Sequence, residues 1–332
     1  MRILFVRLSS FGDVVFALPA AKALRSAYPG TTLAWAVEPP LAPLVRGASF
    51  VDEVLEVNTR AWRRSLLEAS TRREIRNSLR RGRAYSPELV VDAQGLFKSA
   101  LVTAAIPAGR KVGFGWRTAT EPVNCLFTRE HVEAEGRPHV LDRMLALAEH
   151  VAGRGGFERL PDVRHLVDGE DPAVDSWLQQ NDGRPFALLQ PFSSKAAKEW
   201  DANDLVALAR QLASRGLVPT LRWGPGEESR AREIRDLSED LLLLAPPTTP
   251  ASTARLAARA ALFIGVDSGP THLAAAAGTP TLALFGPTDP ARFGPVGPRT
   301  TVLRAPPDDY NRRRGLGVPP HEVLAEIDRL LG

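Results

Sequence analysis

Cysteine is almost absent from these 332 residues: Cys125 is the only one. That excludes an intramolecular disulfide and a cysteine-built metal cluster, and it suits a reducing cytoplasm. Metal-binding spacings are missing as well. The six histidines never fall at His-x-x-x-His spacing and no Asp-x-Asp occurs, so nothing supports a divalent ion clamped on a nucleotide diphosphate. No Gly-x-Gly-x-x-Gly follows the first strand of either half, which counts against a dinucleotide oxidoreductase. No stretch approaches the roughly 18 uncharged apolar residues that span a bilayer. Residues 1–8 have the early charge and apolar character of a signal peptide, but Arg7 interrupts them and Ser9-Ser10-Phe11-Gly12-Asp13 follows too soon. They read as a first strand.

What is present is an ordinary soluble composition, 44% hydrophobic and 24% charged, at a length suited to two domains of about 150 residues each. Short apolar runs alternate with helical periodicity in both halves, the pattern of repeated β-α-β units. The first half is predicted to run as strands 2–8, 31–38, 51–57 and 88–92, with helices at 13–27 and 95–105 and a basic helical region at 60–83. The second is predicted to run as strands 185–190, 217–223, 241–245, 262–264 and 281–285, with helices at 201–215, 227–238 and 251–260 and a short helix between the last two strands. Residues 161–185 turn polar and acidic, which places the junction there and gives domains 1–165 and 180–332. Residues 321–331 predict a last helix able to pack on either domain. The expected fold is α/β, two Rossmann-like doubly wound domains facing a central cleft.

Net charge is +4, but nine arginines against Glu68 and Glu74 make residues 60–83 alone +7. A charge run is usually a solvated face; this one exceeds what local pairing neutralises and predicts a phosphate-bearing partner. No nucleic-acid fold signature accompanies it, so nucleic acid is not expected.

Polar residues recur where strands end, which in an open parallel sheet is the ligand-binding edge. The fullest case is Gly265-Val266-Asp267-Ser268-Gly269-Pro270-Thr271-His272, running on to Gly286-Pro287-Thr288-Asp289-Pro290. A turn opening Asp-Ser-Gly into a helix offers backbone amides, a hydroxyl and a carboxylate to a phosphorylated, hydroxyl-rich ligand such as a nucleotide-sugar. Ser193, Ser194, Lys195 and Lys198 follow another strand; they read either as a solvated loop or as partners for a departing diphosphate. Glu227 and Glu228 read equally as ribose acceptors or as acids favoured in a helix first turn. Asp13 reads as an N-terminal cap or as a general base beside the space left by Gly12.

Together, Ser9 to Asp13, Asp267 to His272 and Gly286 to Pro290 resemble the motifs of glycosyltransferase family 9, the ADP-heptose:lipopolysaccharide heptosyltransferases. Residues 92–100, 60–64 and 116–122 are similar to the heptosyltransferase I branch. The resemblance implies a GT-B enzyme that transfers L-glycero-D-manno-heptose from ADP-heptose to Kdo of the lipopolysaccharide inner core, with inversion and with neither metal nor cofactor. It implies Asp13 as base and Lys198 with Ser193 and Ser194 on the diphosphate. Ser268, Gly269, Asp267 and His272 would complete the donor site, with Glu227 or Glu228 on the ribose. Ser10, Gly12, Arg60, Arg63, Arg64, Gln94, Lys98 and Arg117 would meet a Kdo-lipid A acceptor. A cytoplasmic enzyme peripherally held at the inner-leaflet membrane surface is implied. Thr120 stands where relatives often carry Arg, and Asp201 where they often carry Pro. The alternatives are heptosyltransferase II or III, a protein heptosyltransferase, and a non-catalytic polyanion-binding protein.

Overall fold

The computed structural model describes residues 1–306 and 315–331 and divides into two compact units, Met1–Pro161 and Asp162–Gly332. Residues 307–314 and 332 of the second expected domain lie outside the described residues.

The first unit is built as β1 (Arg2–Val6), α1 (Phe11–Ala27), β2 (Thr32–Val37), β3 (Glu53–Glu56), α2 (Thr59–Ser65), α3 (Ala69–Tyr85), β4 (Leu89–Asp92), α4 (Phe97–Ala105), β5 (Arg110–Phe114), β6 (Glu130–Val132) and α5 (Val140–Ala152). Its six strands are all parallel, in the order β3-β2-β1-β4-β5-β6. Alternate side chains of the central strands enter opposite faces, as a sheet covered on both sides requires. Leu4, Val6, Ala34, Ala36 and Val90 pack with Leu55, Val102 and Ile106 on one face. Phe5 and Trp35, of opposite parity, meet edge to face at 4.8 Å between ring centroids. The basic stretch expected as one helical region is two helices, broken near Leu66. Strands β5 and β6 are absent from the sequence expectation because β5 opens on Arg110 and Lys111 and β6 is three residues long, so neither reads as an apolar run.

The second unit runs α6 (Arg164–Val167), α7 (Pro172–Gln180), β7 (Phe186–Gln190), α8 (Ala202–Ser214), β8 (Val218–Leu221), α9 (Glu228–Leu237), β9 (Leu243–Leu244), α10 (Pro250–Arg259), β10 (Leu262–Val266), α11 (Gly269–Ala276), β11 (Thr281–Phe285), α12 (Pro290–Phe293), β12 (Thr300–Arg304) and a C-terminal helix, Pro320–Leu331. The sheet order is β12-β11-β10-β7-β8-β9, again parallel. Counted from β7, this repeats the winding of the first unit, although the sequence carries no detectable repeat. Ala187, Leu189, Leu262 and Ile264 fill one face with Val323 and Ile327 of the C-terminal helix. Phe186, Leu188 and Phe263 fill the other with Leu256 and Ala274. The polar stretch taken as the junction is partly ordered into this unit: Arg255 of α10 donates to Asp175 at 2.6 Å and to the Val167 carbonyl at 3.3 Å.

In each unit the order reverses beside the first strand, between β1 and β4 and between β7 and β10. Such switch points open a crevice at the carboxyl ends of the strands.

Candidate functional site

At the β1/β4 switch point of the first unit, Asp13 lies in the first turn of α1. Its Oδ2 accepts from the Ser10 amide at 3.0 Å and the Ser10 hydroxyl at 2.8 Å, while Arg7 Nη2 lies 2.9 Å from Oδ1. Burial opposes ionisation, but the Arg7 guanidinium and the Ser10 hydrogen bonds outweigh it and hold the carboxyl below its usual value. The cap of α1 is Ser10, not Asp13: Asp13 stands at the third helical position, where its bond back to the Ser10 amide holds it as a fixed, ionised carboxylate. Gly12 precedes it in the same turn.

Gln94 follows β4. Its carbonyl accepts from the amides of Leu8 (2.8 Å) and Ser9 (3.2 Å), and its amide donates to the Ser9 carbonyl at 2.8 Å. The structure therefore gives this side chain a positioning task on the Ser9–Ser10 segment. Behind it sits Asp92, fully buried, whose Oδ1 accepts from the amides of Gln94 and Gly95 and whose Oδ2 accepts from Asn124 and Thr103. Burial pushes the Asp92 carboxyl up. Gly95 closes this turn with φ +67°, a conformation that favours glycine.

Lys98 Nζ donates to Ser9 Oγ at 2.5 Å and lies 3.5 Å from Glu38 Oε1. Glu38 is 2% exposed and also receives the Thr59 hydroxyl at 2.5 Å and Arg60 Nε at 3.4 Å. Burial lowers the Lys98 ammonium, Glu38 opposes this, and Arg60 and Arg7 add to the lowering. Thr59, Arg60, Arg63 and Lys98 stand on a groove of about 680 Å³ whose remaining wall is apolar, from Trp62 and Leu66 to Phe97 and Leu101. Ser10, Asp13, Gln94, Lys98 and Arg60 are thus joined through one polar network with Arg7 and Glu38, and Arg63 shares the groove. Arg64 is exposed without an ion pair among the described residues, and Arg117 is exposed and pairs with Glu135 at 3.2 Å; neither enters the network.

At the β7/β10 switch point of the second unit, Lys198 Nζ lies 2.5 Å from Asp267 Oδ2, which also accepts from Thr288 Oγ1 at 2.6 Å; His272 Nε2 lies 3.3 Å from Oδ1. Burial again opposes ionisation, but His272, Lys198 and Thr288 together hold the Asp267 carboxyl far below the usual range. Ser268 caps α11, whose first turn leaves the amides of Gly269 and Thr271 without intrahelical acceptors. Gly265 is needed here because a Cβ would stand 2.6 Å from Thr271 Oγ1 and 2.7 Å from the Phe263 ring. The Ser193 amide donates to Glu199 at 3.2 Å, and Glu199 is held by Arg230 at 2.6 Å; Ser194 is exposed one residue on. Glu227 folds back onto the Gly224 amide at 2.6 Å, fixing the loop after β8. Glu228 is exposed and paired with Arg232 one turn along α9. Asp201 caps α8, accepting from Asn203 at 2.8 Å. Among the described residues no three His, Cys, Asp or Glu side chains are placed to hold a metal ion.

Sequence reasoning gave no site role to Arg7, Glu38, Thr59, Thr288 or Arg222. Arg7 had a signal, a charge ending a buried strand. Glu38 sits just past the end of β2 on the same sheet edge. Arg222 is 5% exposed, donates to Gln190 at 2.8 Å, leaves its Nε unpartnered, and is pushed down to about 10 by burial, with Glu227 opposing.

Residues 72–315 match the family model of glycosyltransferase family 9 (heptosyltransferase). Lipopolysaccharide heptosyltransferase 1 of Salmonella typhimurium is 32% identical over 92% of this chain and 95% of its own length. The protein of that name from Escherichia coli K12 is 30% identical over 92% and 94%. The solved E. coli heptosyltransferase WaaC with ADP superposes with a TM-score of 0.86 at 28% identity, covering 99% of both chains.

Proposed function

The chain belongs to glycosyltransferase family 9, the heptosyltransferases, and from that premise we propose that it transfers L-glycero-D-manno-heptose from ADP-heptose to a Kdo hydroxyl of the lipopolysaccharide inner core. The observation that carries this reading is the Lys198–Asp267–His272–Thr288 cluster at a sheet switch point beside a helix N-terminus. An ammonium, free amides and an ionised carboxylate gathered at such an edge suit a nucleotide-activated sugar, which supports the reading.

In the second unit, Lys198 has three N–H donors and uses one on Asp267, leaving two for the diphosphate of the donor. The α11 amides and the hydroxyls of Ser193, Ser194 and Ser268 add donors whose value grows as ADP departs with increasing negative charge. A carboxylate has about four lone-pair sites; Asp267 already uses three and keeps room for a sugar hydroxyl. Glu227 faces the ribose across the loop after β8. In the first unit, Asp13 takes the proton from the attacking Kdo hydroxyl, a contribution of roughly 10²- to 10⁴-fold. Attack from the side opposite ADP inverts the anomeric centre. Arg7 trades base strength for certainty that Asp13 is ionised at neutral pH. Arg60, Arg63 and Lys98 take the acceptor's phosphate and carboxylate groups.

Charge neutralisation by Lys198, hydroxyls and amides makes the transfer independent of a metal ion, and activity is expected to survive EDTA. We propose that the enzyme works in the cytoplasm at the inner leaflet, where its lipid-borne acceptor lies. The test is ADP release with purified ADP-heptose and either Kdo₂-lipid A or the already heptosylated acceptor. Turnover on the first alone is expected. Turnover only on the second would move the chain to another heptosyltransferase step, and turnover on neither, with ADP bound normally, would point to a protein acceptor.

A further inference from the structure

Two arginines are buried among the described residues, and they differ in what answers their charge. Arg7, 6% exposed, has the Asp13 carboxylate 2.9 Å from its Nη2. Arg222, 5% exposed, makes no ion pair among the described residues. Its guanidinium donates only to neutral oxygens, of Gln190 at 2.8 Å and of Thr253 at 3.3 Å, and its Nε has no partner. A cation taken out of water needs an anion to offset its lost hydration. Glu227, held on the Gly224 amide, answers in part, and burial outweighs it.

Arg222 continues β8 past its last strand residue, its amide bonded to the Leu189 carbonyl at 2.8 Å, so it stands at the carboxyl edge of the sheet. Side chains alternate along a strand, which puts Arg222 on the α10 side with Val218, a neighbour of Phe186, Leu188 and Leu256. There Nη2 reaches Thr253 in the first turn of α10. A helix N-terminus carries positive partial charge, so this setting disfavours a further cation. Gln190, which Arg222 holds, pairs in register with Gly265 of β10 and donates to the Phe192 carbonyl at 2.9 Å, one residue before Ser193. A buried positive charge without an anion of its own thus lies at the root of the loop that carries Ser193, Ser194 and Lys198.

We propose that Arg222 is a specificity residue of the donor site: its buried charge takes the nucleotide's diphosphate as its counter-ion, across the Gln190–Phe192 turn rather than by contact, and so favours a nucleoside diphosphate over a monophosphate or a nucleoside. This rests on the reading of the second unit as the ADP-heptose site and adds a residue to it. A charge in the interior is screened less than one at the surface, so it acts beyond contact distance, and each added phosphate charge gains from it. Lys198 and the α11 amides meet phosphate oxygens directly; Arg222 supplies the field behind them.

Adenosine, AMP and ADP are titrated calorimetrically into the full chain as wild type, as R222Q, which keeps hydrogen-bonding groups without the charge, and as R222K, which keeps the charge without the planar fork. R222Q is expected to weaken ADP about 10-fold or more, AMP by less, and adenosine by less than about twofold. R222K is expected to bind ADP within about threefold of wild type. Should R222Q not fold, R222M takes its place with the same expectations. The proposal is overturned by R222Q binding ADP like wild type, by an equal loss for adenosine and ADP, which would make Arg222 a support of the loop alone, or by a loss in R222K as large as in R222Q. Wild type that binds ADP but transfers heptose to no acceptor would instead remove the functional reading and leave the role of Arg222 to the same titrations.

Discussion

At the scale of single residues, the protein fixes carboxylates as anions by surrounding them with donors. Asp13 has Arg7 and Ser10; Asp267 has His272, Lys198 and Thr288. D13A is expected to lose about 10²-fold or more in turnover while calorimetry with ADP gives unchanged binding; near-normal turnover would remove Asp13 as the base. In R7M the stabilising charge is gone, so the Asp13 pKa rises and the acid limb of kcat/KM moves to higher pH. A profile that does not move would deny Arg7 this role. Asp267 gives a stability prediction. Its folded pKa is depressed, so its contribution is fully present above the unfolded value of about 3.9 and is lost as pH falls below it. D267N is expected to cost about 3 kcal/mol in urea denaturation at pH 7 by leaving Lys198 without its anion, with the gap to wild type closing below about pH 4. A gap independent of pH would show that packing, not charge, is lost.

At the scale of elements, the turns leaving the central strands set the chemistry, and their glycines set how closely the helices approach. G265A drives a Cβ into Thr271 and Phe263 from the strand that presents Asp267, at an expected cost of about 1–3 kcal/mol and with ADP binding weakened. Unchanged stability would mean that α11 can shift without penalty. The element-level reading of the sequence succeeded where the apolar run was continuous, as in β1, β7, β10 and β11, all buried on both faces. It failed for β5, which opens on Arg110 and Lys111, and for the edge strands β6, three residues long, and β12, which opens on two threonines, because none of them carries such a run. It also joined α2 and α3, since an arginine-rich stretch gives no apolar period by which to find the break.

At the scale of the molecule, two units with the same winding carry different chemical equipment: Asp13, Lys98 and the arginines in one, Lys198 and Asp267 in the other. ADP is expected to stabilise the chain by about 2.7 kcal/mol at a hundred times its Kd, with hydrogen-exchange protection concentrated in the loops after β7 and β10. Equal protection of the β1–α1 turn would contradict assignment of the nucleotide to the second unit.

The sequence by itself determined the fold class and which loops hold polar groups, because apolar runs ending in Ser, Asp and Gly encode a buried parallel strand and its exposed end locally. It also held the family motifs around Asp13 and Asp267. Only the tertiary structure decided what those groups do to each other. That Gln94 is spent on the Ser9 backbone, that Glu38 gathers Thr59, Arg60 and Lys98, and that Lys198 meets Asp267 follows from which strands become neighbours in the sheet. Strand order brings residues 60 to 90 positions apart within hydrogen-bond reach, and no local pattern records that.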